Sequence, residues 1–270
     1  MLWFKKTLLL YSFLDLFLFF IIFIECFYFC TNKMSAVSEK NKNKEHSNHS
    51  HNHHPHESSE FNPVLLFEWF NKSLKKTDES SSEFDDIGIK EYIEAYKEIN
   101  KFLHCLGTIF YFVITDVQEK IKTLENFLEK NPNEFKTILT AVKHEKSLKK
   151  LEPPASTHEV NCARTILRLH RALIFVYKFL DSLFNAEPKC KSSHICTEVY
   201  EATLGKHHSW LVRKAATFGM HALPRREALL SHMCRNEEDH SSFPTFIQTV
   251  EKVYNITQGI YEKYDILNLP

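Results

Sequence analysis

Glycine is scarce in this sequence of 270 residues, with only five in the whole chain. So few glycines leave little room for tight β-turns, and neither a phosphate-binding P-loop nor a dinucleotide-binding fingerprint is present. The GxSxG and HExxH motifs of serine hydrolases and zinc proteases are also missing. We therefore expect an all-α protein without the common nucleotide-binding or hydrolytic sites.

Net charge and paired cysteines are lacking as well. Lys and Arg together number 34, as do Asp and Glu, so the chain as a whole has no attraction for nucleic acid. The seven cysteines are an odd number and show no CxxC spacing. This favours reduced thiols in the cytosol over a disulfide framework or a zinc site. We expect no cofactor, no metal and no nucleic-acid partner.

An apolar run from Leu8 to Cys30 lies near the N-terminus, and its length of about 23 residues is enough to span a bilayer. Asp15 and Glu25 interrupt the run and would be costly at membrane depth. More lysines follow the run than precede it, which would keep the rest of the chain on the cytoplasmic side. No small-residue cleavage site supports a signal peptide. Either residues 1–33 form a membrane anchor, or they are dispensable and a cytosolic protein starts at Met34.

Residues 34–60 are polar and contain the run HSNHSHNHHPH. Such low-complexity composition is typical of a disordered, flexible linker. Its histidines could bind Zn²⁺ or Ni²⁺ weakly, but a metal site needs a fixed scaffold, so we assign none here. The folded domain is then predicted over residues 61–270.

From residue 61 onward, apolar residues recur with helical spacing, and no segment shows a strand pattern. About eight helices are expected. They are predicted at Pro63–Lys75, Ile89–Leu106, Thr108–Lys130, Glu134–Leu151, Cys162–Phe184, Cys196–Ala222, Arg225–Met233 and Phe243–Tyr264.

The helix predicted over Cys162–Phe184 carries a basic stripe. At 100° per residue, its apolar residues fall on one face, and Arg164, Arg168 and Arg171 fall on the opposite face. Guanidinium groups aligned without acidic neighbours suit a phosphate, which accepts their forked hydrogen bonds. The alternative is the solvated outer face of an ordinary bundle helix.

Two further sets of polar residues stand out. Asp116 and Lys120 lie four residues apart on one helical face, with Phe112 one turn earlier. This spacing is most often a surface ion pair, although bulky apolar residues on the same face are less usual. His207 and His208 fall inside a predicted helix, where a histidine is usually structural or solvated.

Several separated motifs resemble the glycolipid transfer protein superfamily and, within it, the ceramide-1-phosphate transfer protein branch. They are LGTIFYFVITDVQEK, CARTILRLHRAL, HHSWLVRKA, LPRRE, and VYNITQGIYEKY with the terminal LNLP. The resemblance covers residues 61–270 and leaves out the N-terminal run and the linker. It implies a two-layer helical sandwich of eight helices, with an apolar pocket between the layers for lipid chains.

The resemblance also implies roles for the polar residues. Asp116 would accept a hydrogen bond from the ceramide amide N–H, and His208 would donate to the amide carbonyl. Lys120, Arg164 and Arg168 would bind the phosphate. The glycolipid branch has an asparagine in place of this lysine and a sugar-stacking tryptophan in place of Arg168, so phosphate is the expected head group here.

Other residues are expected around this site. Phe112 and Trp210 would line the pocket or pack beneath the head group. Tyr96, Arg225 and Arg226 would dock the protein on anionic membranes. Plain surface solvation is the alternative for these last three residues.

The expected function is transfer of ceramide-1-phosphate between membranes by a monomeric, non-catalytic, cytoplasmic domain that is peripheral at membranes. Two alternatives stay open. A membrane-tethered sphingolipid sensor or scaffold would use the N-terminal run to stay on one organelle. A lipid hydrolase or phosphatase would use Asp116, His208 and Ser209, but no motif of such enzymes supports it.

Overall fold

In a computed structural model of the chain, the described residues are 60–78, 84–151 and 160–269. They contain nine α-helices, one pair of short strands and two 3-10 turns, at Thr108–Phe110 and Leu204–His207. The helices are α1 (Pro63–Ser73), α2 (Ile89–Cys105), α3 (Tyr111–Lys130), α4 (Ile138–Ser147), α5 (Cys162–Asn185), α6 (Ser192–Ala202), α7 (Trp210–Met220), α8 (Arg226–Met233) and α9 (Glu237–Lys263). The strands are β1 (Leu74–Lys75) and β2 (Asp86–Ile87).

The apolar segment 1–33 and nearly all of the linker 34–60 lie outside the described residues. The division of the chain at these positions therefore stays a prediction. Among the helices of the described part, none has the length and apolar character needed to cross a membrane.

The helix α5 packs against four other helices, α3, α4, α6 and α9, and is therefore central to the domain. The side chain of Asn161 begins the helix by accepting a hydrogen bond from the backbone N–H of Arg164 at 2.7 Å. The predicted apolar face is buried, including Ile166, Leu173 and Leu180. Because one stripe of α5 is committed to the core, the opposite stripe is left for its basic side chains.

The all-α prediction is confirmed, with one addition that the sequence did not indicate. β1 and β2 form a two-residue antiparallel pair between α1 and α2. The buried carboxylate of Asp86 accepts hydrogen bonds from the backbone N–H groups of Ile87 and Leu139. A single side chain therefore holds this strand pair against α4.

The prediction of one helix over Cys196–Ala222 is wrong, because α6, a 3-10 turn and α7 occupy this segment. Thr203 has φ −124° and ψ −100°, outside the helical region. A Cβ on Gly205 would stand 2.8 Å from a backbone carbonyl oxygen of α6, so the chain turns too tightly there for most residues. The side chain of Ser209 then caps a new helix. The segment between these two helices is consequently non-helical.

Candidate functional site

Five residues predicted to bind a lipid head group lie on three neighbouring elements. We call Asp116, Lys120, Arg164, Arg168 and His208 the head-group cluster. The first two lie on α3, the arginines lie on α5, and His208 directly follows the second 3-10 turn. Both α3 and this turn pack against α5. Residues that are 92 positions apart at most in the sequence therefore lie on α5 or on elements that pack against it.

The predicted ion pair on α3 is present. The ammonium group of Lys120 donates a hydrogen bond to the carboxylate of Asp116. The side chain of Lys120 is 16% exposed, whereas that of Asp116 is 61% exposed. The carboxylate is therefore open to a ligand, while the lysine is held against the protein surface.

The arginine stripe on α5 divides into two parts. Arg164 is partly buried and Arg168 is exposed one turn later. Arg171 instead donates to the backbone carbonyls of Leu267 at 2.7 Å and Leu269 at 3.2 Å. The phosphate-binding role of the first two arginines stays a prediction, whereas the third fixes the C-terminal segment to α5.

His208 is oriented by a residue whose role the sequence did not reveal. Its Nδ1 lies 2.7 Å from the hydroxyl of Tyr200. Burial lowers the pKa of His208, His207 lowers it further, and the Asp116 carboxylate opposes both effects. Burial raises the pKa of Tyr200, so this phenol keeps its proton.

The contact with Tyr200 bears on which ring nitrogen of His208 can donate to a ligand. When the phenol of Tyr200 donates to Nδ1, the neutral imidazole carries its own hydrogen on Nε2. In that tautomer His208 presents a hydrogen-bond donor on the side of the ring away from Tyr200. From the sequence, Tyr200 is only a bulky residue of a predicted helix. The turn that brings it back to His208 could not be seen in the helical periodicity.

Phe112 and Trp210 lie next to the head-group cluster in sequence but are not core residues. Phe112 is exposed one turn before Asp116, and Trp210 is 65% exposed at the start of α7. The prediction that Trp210 packs beneath the site is wrong, because the break before α7 turns its ring towards solvent. We call these two exposed rings the apolar rim.

Two of the three residues predicted to dock on membranes have other partners. Tyr96 is 1% exposed, and its hydroxyl donates to the backbone carbonyl of Leu169 at 2.7 Å. Arg226 donates to two backbone carbonyls in the last turn of α5, each at 2.7 Å. These two predictions are wrong, since both side chains are used inside the fold. Arg225 is exposed before α8, and its docking role stays a prediction.

The described residues contain no group of three or more His, Cys, Asp or Glu side chains that could hold a metal ion. All five cysteines of the described ranges are free thiols.

A family model for "Glycolipid transfer protein (GLTP)" matches residues 87–235, which include the whole head-group cluster. The chain belongs to the glycolipid transfer protein family. This confirms the resemblance read from the motifs. It also assigns the all-α architecture to a known fold.

Relatives within the glycolipid transfer protein family point to one branch. The ceramide-1-phosphate transfer protein of Danio rerio is 38% identical over 198 residues, which are 71% of this chain and 92% of the relative. The apo-form of the mouse ceramide-1-phosphate transfer protein has a TM-score of 0.70 at 31% identity, covering 78% of this chain and 100% of that one. The human protein in complex with 2:0 ceramide-1-phosphate has a TM-score of 0.70 at 30% identity, with the same coverage of 78% and 100%.

Proposed function

We propose that this chain carries ceramide-1-phosphate from one membrane to another without changing it chemically. The observation that carries the proposal is the head-group cluster, which combines three cations with one carboxylate and one imidazole donor. Its relatives bear the name ceramide-1-phosphate transfer protein, and one of them is solved with this class of lipid bound. The chain acts as a monomer in this proposal.

The phosphate binds to Lys120, Arg164 and Arg168. At neutral pH it carries between one and two negative charges and offers three acceptor oxygens, so each cation can make a charge-assisted hydrogen bond. Two arginines one turn apart on α5 supply planar donors that match these oxygens. The ammonium of Lys120 reaches the same phosphate from α3.

The ceramide amide binds to Asp116 and His208. Asp116 is the acceptor for the amide N–H, and the Nε2–H of His208 is the donor for the amide carbonyl. A glycerolipid has ester linkages at the equivalent place and lacks the N–H donor. This pair of residues therefore selects a sphingolipid over a glycerolipid with the same phosphate.

The lipid chains leave the head group along a row of aromatic rings. Tyr200 packs edge-on against Phe175 at 6.0 Å between ring centroids, and Phe175 stacks on Phe179 at 5.9 Å. This row leads from His208 towards the buried face of α5, where the family resemblance puts its apolar pocket. Burial of each CH₂ group stabilises the complex by about 0.8 kcal/mol and offsets much of the cost of leaving the bilayer.

Docking on the membrane uses the apolar rim. Exposed aromatic rings at Phe112 and Trp210 can enter the boundary between head groups and acyl chains. The exposed guanidinium of Arg225 adds attraction to anionic lipids. In this arrangement the mouth of the site faces the bilayer during lipid uptake, on the cytoplasmic side.

We infer a non-catalytic role from the contacts of three residues that an enzyme would need. A hydrolase would need Ser209 or Asp116 as a nucleophile beside a base. Instead Ser209 caps α7, Asp116 is paired with Lys120, and the Nδ1 of His208 is bonded to Tyr200. We therefore favour a carrier over a lipid hydrolase or phosphatase.

A transfer assay between vesicles tests the main proposal. Residues 61–270 should move fluorescent ceramide-1-phosphate between vesicles, and Arg168→Leu should abolish this transfer. Lys178→Met, on the exposed end of the same helix, is the control and should leave transfer unchanged. Release of free phosphate or fatty acid would instead identify an enzyme.

The segment 1–33 decides whether the proposed carrier moves freely or stays tethered to one membrane. We propose that the apolar run anchors the chain, with the helical domain in the cytoplasm. The full chain should then stay with membranes after carbonate extraction, whereas a chain that starts at Met34 should be released. Release of both forms would rule out the anchor.

A further inference from the structure

The backbone of α5 is hydrogen-bonded by side chains from three other helices, next to the two ligand-facing arginines. The carboxylate of Glu145 in α4 accepts from the backbone N–H groups of Cys162 at 2.6 Å and Ala163 at 2.9 Å. The hydroxyl of Tyr261 in α9 donates to the carbonyl of Ala163 at 2.6 Å. The hydroxyl of Tyr96 in α2 donates to the carbonyl of Leu169 at 2.7 Å.

These three side chains lie deep inside the protein. Glu145 is 1% exposed, and both tyrosines are fully buried. Helices normally pack through apolar side chains, which tolerate small rotations and shifts along the helix axis. A buried hydrogen bond to the backbone is directional, and leaving its partner unsatisfied is costly, so it permits much less movement.

The bonded backbone atoms are adjacent to the arginines. Ala163, bonded on both its N–H and its carbonyl, precedes Arg164, and Leu169 follows Arg168. Successive residues on a helix are rotated by 100°, so Arg164 and Arg168, four positions apart, lie on nearly the same side of α5. A small rotation of α5 about its axis would therefore move both guanidinium groups away from one common phosphate. The three buried side chains hold α5 at both of these points.

We propose that Tyr96, Glu145 and Tyr261 are positioning residues that set the rotation and height of α5, so that Arg164 and Arg168 reach the same phosphate. This inference rests on the proposed function, since it assumes a phosphate-bearing lipid at the head-group cluster. Preorganised cations bind a phosphate more tightly because no ordering of the helix is needed when the ligand arrives.

Removal of a single hydroxyl tests this inference with little change in shape. Tyr96→Phe and Tyr261→Phe in the full-length chain should each weaken binding to vesicles containing ceramide-1-phosphate by about fivefold, the size expected for one lost hydrogen bond. Tyr177→Phe is the matched control. It is a buried tyrosine of α5 itself, and within the described part its hydroxyl makes no hydrogen bond. This control should bind as the unchanged chain does.

The dependence of binding on salt separates positioning from simple loss of stability. Destabilisation alone lowers the folded fraction, and the remaining folded molecules would show the usual salt dependence. If α5 has rotated, fewer cations engage the phosphate, and the affinity should fall less steeply as salt is raised. Glu145→Gln, which loses the charge but keeps one acceptor oxygen, should show the same flattening.

The outcomes are distinguishable. Unchanged affinity in both tyrosine variants, or a loss of affinity with the salt dependence preserved, would overturn the positioning role while leaving the proposed function intact. No binding of ceramide-1-phosphate by the unchanged chain would overturn the proposed function itself, and the inference with it.

Discussion

Lys120 and Asp116 hold each other on α3, although the two are proposed to contact different parts of the head group. The lysine is assigned to the phosphate and the aspartate to the amide. A phosphate that attracts Lys120 would weaken its hold on Asp116 and leave that carboxylate ready to accept from the amide N–H. We therefore expect recognition of the two chemical groups to be coupled through this ion pair.

Asp116→Asn should reduce selectivity more than it reduces phosphate binding. The asparagine keeps an acceptor oxygen but loses the charge, which makes the hydrogen bond to the amide weaker. In a competition assay, preference for ceramide-1-phosphate over phosphatidic acid should fall by about tenfold. Glu119→Gln removes the same charge from an exposed position of α3 and should leave the preference unchanged. An unaltered preference in Asp116→Asn would contradict the amide role.

Tyr200→Phe should impair transfer by freeing the imidazole of His208. Without the phenol at 2.7 Å, nothing fixes the hydrogen on Nε2, so the donor for the amide carbonyl is present only part of the time. We expect transfer of ceramide-1-phosphate to fall by about fivefold. Initial rates of vesicle transfer measure this effect. A rate equal to that of the Tyr177→Phe control would show that Tyr200 does not orient His208.

Arg171→Met should mainly lower the stability of the domain, whereas Arg168→Met should mainly lower lipid transfer. Arg171 holds two carbonyls of the C-terminal segment, and its loss should cost about 2 kcal/mol and lower the Tm by roughly 4–8 °C. Arg168 is exposed and proposed to bind phosphate, so its loss should abolish transfer at nearly constant Tm. Thermal melts and transfer rates of both variants give the comparison. Equal melting temperatures would show that Arg171 is not a structural residue.

His170 should make the domain less stable in acid. Burial lowers its pKa to about 4, with Arg171 and His207 acting in the same direction and the Gln258 hydrogen bond opposing them. The unfolded chain has a histidine pKa of about 6.5. The unfolded state therefore binds the proton first, and stability present above pH 6.5 is lost as the pH falls towards 4. This amounts to about 3 kcal/mol at most.

Urea unfolding of the unchanged chain and of His170→Gln at several pH values between 7 and 4 isolates this contribution. The difference in unfolding free energy between the two proteins should shrink as the pH falls, since glutamine does not titrate. Glu145 acts in the opposite direction, because burial raises the pKa of its carboxyl. It is present in both proteins and cancels in the difference. A pH-independent difference would show that His170 titrates normally.

The elements predicted best are those defined by local signals. α5 was predicted over Cys162–Phe184 and spans Cys162–Asn185, because its apolar periodicity is strong. The start of α9 was predicted at Phe243 instead of Glu237. Its polar first turn, capped by Asn236 and rich in acidic residues, carries no apolar periodicity.

The site residues that were missed or misplaced depend on contacts between distant parts of the chain. Tyr96 was expected at a membrane surface, because an amphipathic side chain does not show its depth in the sequence. Its carbonyl partner is 73 residues away. Arg226 likewise caps the end of α5 across 42 and 43 residues. Motif resemblance predicted the head-group cluster, whereas the backbone partners of Tyr96 and Arg226 are seen only in the fold.

The break between α6 and α7 has a consequence for how ligand preference can change. Arg164 and Arg168 are fixed to a helix held by its neighbours, whereas His208 lies on extended backbone with φ −102° and ψ 144°. Of the proposed site residues, the two arginines and His208 are therefore carried by separate pieces of chain, whereas Asp116 and Lys120 share α3. A substitution near Thr203 or Gly205 could therefore shift His208 and change recognition of the amide, while the arginine contacts with the phosphate stay the same.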